Sequence, residues 1–370
     1  MKKWMSALSI ILVGIFMLVG CSSSNEQTST QNEQSKPSET SDQNKAETKT
    51  ITLKSSIQSP PKAHLSRGFD AFLDEVEKIS DGQIKFERYY SETLAKAADQ
   101  LNALSTGIAD ISMFVPTYTP GKIPLATVSS NPALWADSWV GSKAYNEIYH
   151  TVPELQKELE GQNVKFVSQY ATPTYYIISN KPVNSLEDVK GLKVIATGQL
   201  GVLAQHLGAA PVGIPITESF EAMERGTVDA VFYGVTSAAT YGLEQSAKYV
   251  WKLPVGGSAG IIGFNINTWN SIPKDLQDKI MEIGTEVHPN KFHEIYQIQG
   301  DEEALQKFID AGATITEASE EDLNKLKEIA KNEIWSEWVK DAESKGLPGQ
   351  KVFDAFTESI NKFEQENPYK

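Results

Sequence analysis

The chain has 370 residues, room for two domains, and at 40% hydrophobic and 9% aromatic it can build a packed core, which excludes full disorder, collagen-like repeats and a multi-span membrane class. Its 34 basic residues against 48 acidic ones give a net charge of −14, which argues against a nucleic-acid partner, since that needs a basic face to replace counterions. One cysteine excludes an internal disulfide and Cys-rich metal sites, and only three residues, Arg67, Arg88 and Arg225, are arginine.

In chain order, Met1-Lys2-Lys3 is a positive head, Trp4 to Val19 an apolar run, and Leu18-Val19-Gly20 a small-residue end before Cys21. That is the pattern of a secretory signal over residues 1–20. Leu-Val-Gly-Cys also matches the bacterial lipobox, which implies cleavage before Cys21, lipid attachment to its thiol and acylation of the new amino terminus. An uncleaved anchor or a buried helix is the alternative. Residues 21–49 hold Ser, Thr, Asn, Gln, Glu and Lys with no aromatic residue, and are expected to form a disordered tether. The expected location is the outer face of the cell membrane, held by the lipid.

The folded body starts near residue 50. Thr50 to Ser56 reads as a strand, and Leu65, Phe69, Phe72, Leu73, Val76 and Ile79 set a helical period over His64–Ile79, ended by Ser80-Asp81-Gly82. Gln83 to Tyr90 alternates as a strand, Leu94 to Ser105 is helical, and Ile108 to Val115 is a strand. This βαβαβ order favours parallel pairing. Strands follow at Val164–Gln169, Tyr175–Asn180, Gly191–Ile195, Ala210–Ile214 and Val228–Phe232, with helices at Gly201–Leu207 and Thr217–Arg225, Thr217 serving as N-cap. From Pro273 the chain is amphipathic helix, broken by the strand-like Thr314-Ile315-Thr316. Two α/β blocks predict two lobes with a cleft, and ligands in such folds sit outside the carboxyl ends of the strands.

These residues carry a resemblance. Phe69-Asp70-Ala71-Phe72 through Ser80-Asp81-Gly82-Gln83-Ile84, then Gly191-Leu192-Lys193-Val194, Leu207-Gly208-Ala209-Ala210-Pro211 and Thr217 to Ala230 follow one another in the order of the TRAP-type solute-binding proteins, dicarboxylate-binding branch. Asn267 to Leu276 and Asp310 to Ile315 resemble the C-terminal part, so the likeness runs over roughly residues 50 to 360. It implies a two-lobe α/β body of the periplasmic-binding-protein kind, with two hinge-crossing strands and a long helix spanning both lobes. Lobe I is expected at roughly 50–173 plus 234–265, lobe II at 174–233 plus 266–335, and C-terminal helices at 336–370. The implied partners are a small organic solute and the membrane subunits of a TRAP permease, with no cofactor.

The sequence departs from that family where carboxylates are clamped. The arginine position after Gly-Leu-Lys-x holds Ile195, a second falls near Tyr175, and the run after Asp229 is Ala230-Val231-Phe232-Tyr233-Gly234. None of the three arginines falls on a clamp position. A buried carboxylate without a partner costs several kcal/mol, so the departures imply that the solute is not an arginine-clamped dicarboxylate. The candidate ligand-binding residues are Tyr175, Ile195, Tyr233, Phe220, Trp135 and His64, with core packing or capping as the alternative for each. Trp135, Trp139 and Asp137 match a cleft loop and could cage a cation, or the aromatics could wrap a neutral solute.

Catalysis is the rival reading. The five histidines include no pair at helix-face spacing, Gly-x-Ser-x-Gly is absent, and the one cysteine sits at the lipidation position. A structural or signalling lipoprotein with a vestigial cleft is a further alternative.

Overall fold

The computed structural model describes residues 50–370; the expected signal, Cys21 and the tether lie outside the described residues. Among the described residues there are eleven strands. The first six are β1 (Ile51–Ser56), β2 (Ile84–Tyr89), β3 (Ile111–Phe114), β4 (Val164–Ala171), β5 (Tyr175–Ser179) and β6 (Lys193–Ile195). The others are β7 (Ala210–Val212), β8 (Ala230–Tyr233), β9 (Tyr249–Gly256), β10 (Ala259–Asn265) and β11 (Thr314–Glu317). They form two sheets, ordered β2-β1-β3-β10-β4 in lobe I and β11-β9-β5-β8-β6-β7 in lobe II.

The first helix, His64–Ile79, shows how the pattern becomes packing. Its apolar period buries Phe69, Phe72, Leu73 and Val76 against β1, β3 and Phe292. Each such side chain contributes about 1.5–3 kcal/mol relative to exposure. Ser80 ends it, and its hydroxyl accepts from the Ile84 amide 3.1 Å away, delivering the chain into β2. β1 and β2 then pair in parallel from Ile51↔Ile84 to Ser56↔Tyr89.

The expected parallel pairing holds for β2-β1-β3 and β8-β6-β7, and β11 also lies parallel to β9. β10 runs antiparallel to β3 and β4, and β5 antiparallel to β8 and β9, because the chain leaves one lobe and returns from the other in the opposite direction. β10 carries no alternating pattern, because every one of its residues is buried. Thr217 does not cap a helix; it lies inside a 3-10 turn, Ile216–Glu218, ahead of Ser219–Glu224. The predicted helix over Leu94–Ser105 is shorter, with a 3-10 turn from Ala97 and α-helix only over Gln100–Ser105.

The strands cross between lobes twice, at 172–174 and at 257–258. Segment 234–265 is therefore divided: β9 belongs to the lobe II sheet and β10 to the lobe I sheet. A helix over 274–310, with π turns at Ile283–Val287 and Glu294–Gln299, makes a third crossing. Leu276, Ile280, Phe292 and Tyr296 pack in lobe I, Ala304 and Phe308 in lobe II, so residues 266–300 lie with lobe I. The chain returns a last time near 335, and Trp338, Phe353, Phe356 and Phe363 of the C-terminal helices cover lobe I.

Candidate functional site

The cavity lies at the carboxyl ends of the strands, between the lobes. Gln58 and Ser59 follow β1, Val115, Thr117 and Tyr118 follow β3, Thr197 follows β6, and Tyr233 ends β8. Thr172 and Ser258 come from the two crossing segments, Tyr170 from β4, Tyr175 from β5, and Tyr296 from the second π turn of the long helix. The space between the atoms is ≈ 550 Å³ with the mouth included. That is room for a small solute displacing a few waters.

The wall is uncharged: among the described residues lining it there is no Lys, Arg, His, Asp or Glu. Six lining residues are tyrosines: Tyr118, Tyr170, Tyr175, Tyr233, Tyr241 and Tyr296. Tyr175 and Tyr233 stack with ring centroids 5.0 Å apart, and Tyr296 stacks on Phe292 at 5.1 Å. Burial pushes the phenols of Tyr118, Tyr170, Tyr175, Tyr233 and Tyr241 up, so they stay neutral hydroxyls around neutral pH. Three lining atoms, Gln58 Oε1, Tyr241 OH and Ser258 Oγ, are buried without a hydrogen-bond partner.

The lobes meet across the mouth. Tyr118 OH lies 3.0 Å from Tyr233 OH and accepts from the Ile216 amide at 3.4 Å, and Thr117 Oγ1 is 3.0 Å from Thr197 Oγ1. Gly198 has φ +58°, and a Cβ there would sit 2.6 Å from Ser130 Oγ and 2.7 Å from Thr117 Cγ2. Only glycine fits both that backbone conformation and that approach of the lobes. The Gln199 amide then donates to Ser130 Oγ at 3.2 Å.

Of the six candidate residues, Tyr175 and Tyr233 line the cavity and the other four do not. Ile195 is fully buried in the lobe II core. Phe220 packs at the edge of the same core. Trp135 is a buttress of the hinge: its indole donates to the Thr172 carbonyl at 3.1 Å, meets Phe356 edge-on at 5.6 Å, and occupies room left by Gly141 and Gly257. His64 opens the first helix and turns to the long helix, its Nε2 3.2 Å from Glu303 Oε2, with burial holding its pKa down; the next residue, Leu65, reaches the cavity instead. Asp137 does not line the cavity. It caps the helix Ser138–Thr151, accepting from the amides of Trp139 and Val140, while Trp139 donates to Asn290 Oδ1 at 2.7 Å.

The arginines stay away from the cavity wall. Arg88 pairs with Asp70 and Asp74, Arg67 donates to Gln299, and Arg225 pairs with Glu221. Sequence reasoning missed Gln58, Tyr118, Tyr170, Tyr241 and Tyr296. The signal for the first two was available: each sits within four residues after a strand.

With that geometry in place, comparison with known proteins gives one answer. The model of the bacterial extracellular solute-binding proteins, family 7, matches residues 56–341. A solute-binding protein of Albidiferax ferrireducens is 27% identical over 278 residues, 72% of this chain and 79% of that protein. A TRAP solute-binding protein from Rhodoferax ferrireducens, solved with copurified benzoate, superposes with a TM-score of 0.80 at 21% identity over 86% of this chain and 99% of its own. A TRAP periplasmic solute-binding protein from Desulfovibrio salexigens, solved in an open complex, gives 0.70 at 26% identity over 86% and 99%.

Proposed function

The chain belongs to family 7 of the bacterial extracellular solute-binding proteins, and we propose that it is a lipid-anchored, extracytoplasmic form that delivers an uncharged, ring-sized solute to a TRAP permease. One observation carries the choice of solute: a cavity lined by six tyrosines and no charged side chain among the described residues. A carboxylate enclosed there would lose its hydration without a countercharge, at a cost of several kcal/mol. A cation would face aromatic rings but no carboxylate. A neutral ring loses little on leaving water and gains offset or edge contacts with Tyr175 and Tyr233, worth about 0.5–1.5 kcal/mol per pair beyond the area buried. The Rhodoferax relative was solved with benzoate, a ring bearing a carboxylate; the wall here offers tyrosines to a ring but no charged partner to a carboxylate.

The body is read as a carrier and not a catalyst, because the wall offers tyrosines kept protonated by burial and no acid–base pair. Anchoring rests on Cys21 closing a lipobox-like signal: labelled fatty acid should mark the wild type and not Cys21→Ser, and equal labelling would end the anchoring claim. For the solute, calorimetry should find succinate, malate and fumarate weaker than millimolar while a neutral aromatic binds. A micromolar dissociation constant for any of the three would refute the uncharged reading. Tyr233→Ala should weaken the neutral aromatic by about 1–3 kcal/mol.

A further inference from the structure

We infer that Tyr170 limits the solute to a single ring, and that Gly260, its partner across the sheet, sets the limit by giving the Tyr170 ring its seat. This rests on the reading of the interlobe cavity as the solute site, and adds to it an upper size and the residue that imposes it. Tyr170 of β4 and Gly260 of β10 lie opposite each other in the lobe I sheet. Residues directly opposite in an antiparallel pair share a face and stand close. With no side chain at 260, the Tyr170 ring lies across the strand: a Cβ on Gly260 would overlap the ring atoms Cε1 and Cζ and come within 2.5 Å of the hydroxyl. Gly260 has no positive φ, so the backbone would accept alanine and only the ring requires glycine.

Tyr170 is also part of the cavity wall. Phe292 lies against its ring, centroids 5.1 Å apart, and is fully buried. Phe292 has no room to withdraw, since it rests on Gly68, where a Cβ would stand 2.5 Å from its Cδ2. It stacks in turn on Tyr296, a further wall residue. Tyr170, Phe292 and Tyr296 thus make a row of rings, two of them seated on glycine backbone, and a close-packed row does not part for a second solute ring. A Tyr170 ring pushed off Gly260 has one free direction, the cavity it lines. One methylene more or less in an apolar pocket changes affinity by about ten- to two-hundredfold, and a fused second ring adds more than that.

Phenol and 2-naphthol differ by that second ring and share a neutral hydroxyl; benzoate and 2-naphthoate repeat the pair with a charge. By calorimetry the wild type should bind phenol at least about tenfold more tightly than 2-naphthol. Tyr170→Ala should shift that ratio by at least about tenfold toward 2-naphthol. Gly260→Ala should weaken phenol at least about tenfold, and Gly260→Ala with Tyr170→Ala should bind it within about threefold of Tyr170→Ala alone, because the new Cβ then has no ring to displace. Should Gly260→Ala not fold, the ratio in Tyr170→Ala decides; should Tyr170→Ala not fold, Tyr170→Leu takes its place. A ratio that Tyr170 variants leave unchanged, a folded Gly260→Ala that binds phenol as the wild type does, or no detectable binding of any of the four probes overturns the assignment. If benzoate binds more tightly than phenol while the Tyr170 variant still shifts both ratios, the uncharged reading falls and the size limit stands. If phenol outdoes benzoate and neither ratio moves, the size limit falls and the uncharged reading stands.

Discussion

The two lobes meet along two seams of different make. At the hinge, the Thr172 amide donates to the Ser258 carbonyl at 3.0 Å, and the Ser258 amide returns a bond to Thr172 Oγ1 at 3.1 Å. Trp135 braces the crossing, and β9 and β10 carry it into both sheets. At the mouth, contact rests on pairs of neutral hydroxyls and on the close approach of Gly198. Hydrogen bonds between neutral groups contribute about 0.5–1.5 kcal/mol net, since water replaces them on opening. Buried strand pairing and aromatic packing are not replaced in that way. Parting the lobes at the mouth should therefore cost less than parting them at the hinge.

The largest break in this contrast should come from Trp135→Ala at the hinge. The change removes a buried indole, its bond to Thr172 and its contact with Phe356, and should cost about 3–5 kcal/mol in denaturant unfolding. A loss below about 1 kcal/mol would show that the hinge does not depend on this buttress.

Acid should weaken the interior of lobe I next. His288, on the long helix, is fully buried between Ser168 of β4 and the Gly68 carbonyl, and burial lowers its pKa to about 4 from 6.5. The unfolded chain then binds the extra proton first. Its contribution is fully present above pH 6.5 and is lost as pH falls toward 4, by about 2–3 kcal/mol. Glu158, whose carboxyl burial pushes up to about 7, works with the opposite sign and gains stability as pH falls through that value. The informative quantity is the difference in unfolding free energy between wild type and His288→Gln at pH 7 and pH 4.5. A difference that does not change with pH would remove His288 from the account.

At the mouth, Gly198→Ala should cost about 1 kcal/mol in stability from its positive φ, and its main effect should be on closure. The new Cβ would collide with Ser130 and Thr117 only when the lobes meet. Small-angle scattering with a saturating neutral solute should show contraction in the wild type and little in the variant. Equal contraction would mean that the lobes do not approach there.

How much of this could be read in advance depends on where the information lies. The helix His64–Ile79 was legible because its apolar period is written in consecutive residues, and the two-lobe plan because spaced motifs agreed in order. β10 was not, because a strand buried on both faces loses the alternation that marks a half-exposed one. In the site, the missing arginines were visible as substitutions, and they led to Tyr175 and Tyr233. They also pointed to Ile195, which is buried in the lobe II core instead. Trp135 failed for a related reason: an aromatic beside a cleft can face it or hold its frame. Tyr296 was out of reach, since a π turn in the long helix sets its direction and no local sequence rule marks that turn.

The smallest expected effect tests the mouth most directly. Tyr118 OH bridges to Tyr233 OH and to the Ile216 amide, one group from lobe I against two from lobe II. Tyr118→Phe and Tyr233→Phe each remove one end of that bridge while leaving the rings that face the solute. Each should weaken a neutral aromatic by about 0.5–1.5 kcal/mol, and the double variant by less than the sum, because the bond is lost only once. If the bridge forms on closure, the coupling belongs to the bound state: a double-mutant cycle on affinity should give a non-zero interaction, and the same cycle on the stability of the free protein should give one near zero. An equal coupling in both cycles would mean that Tyr118 and Tyr233 stay bonded without solute, and the mouth would then be as permanent a seam as the hinge.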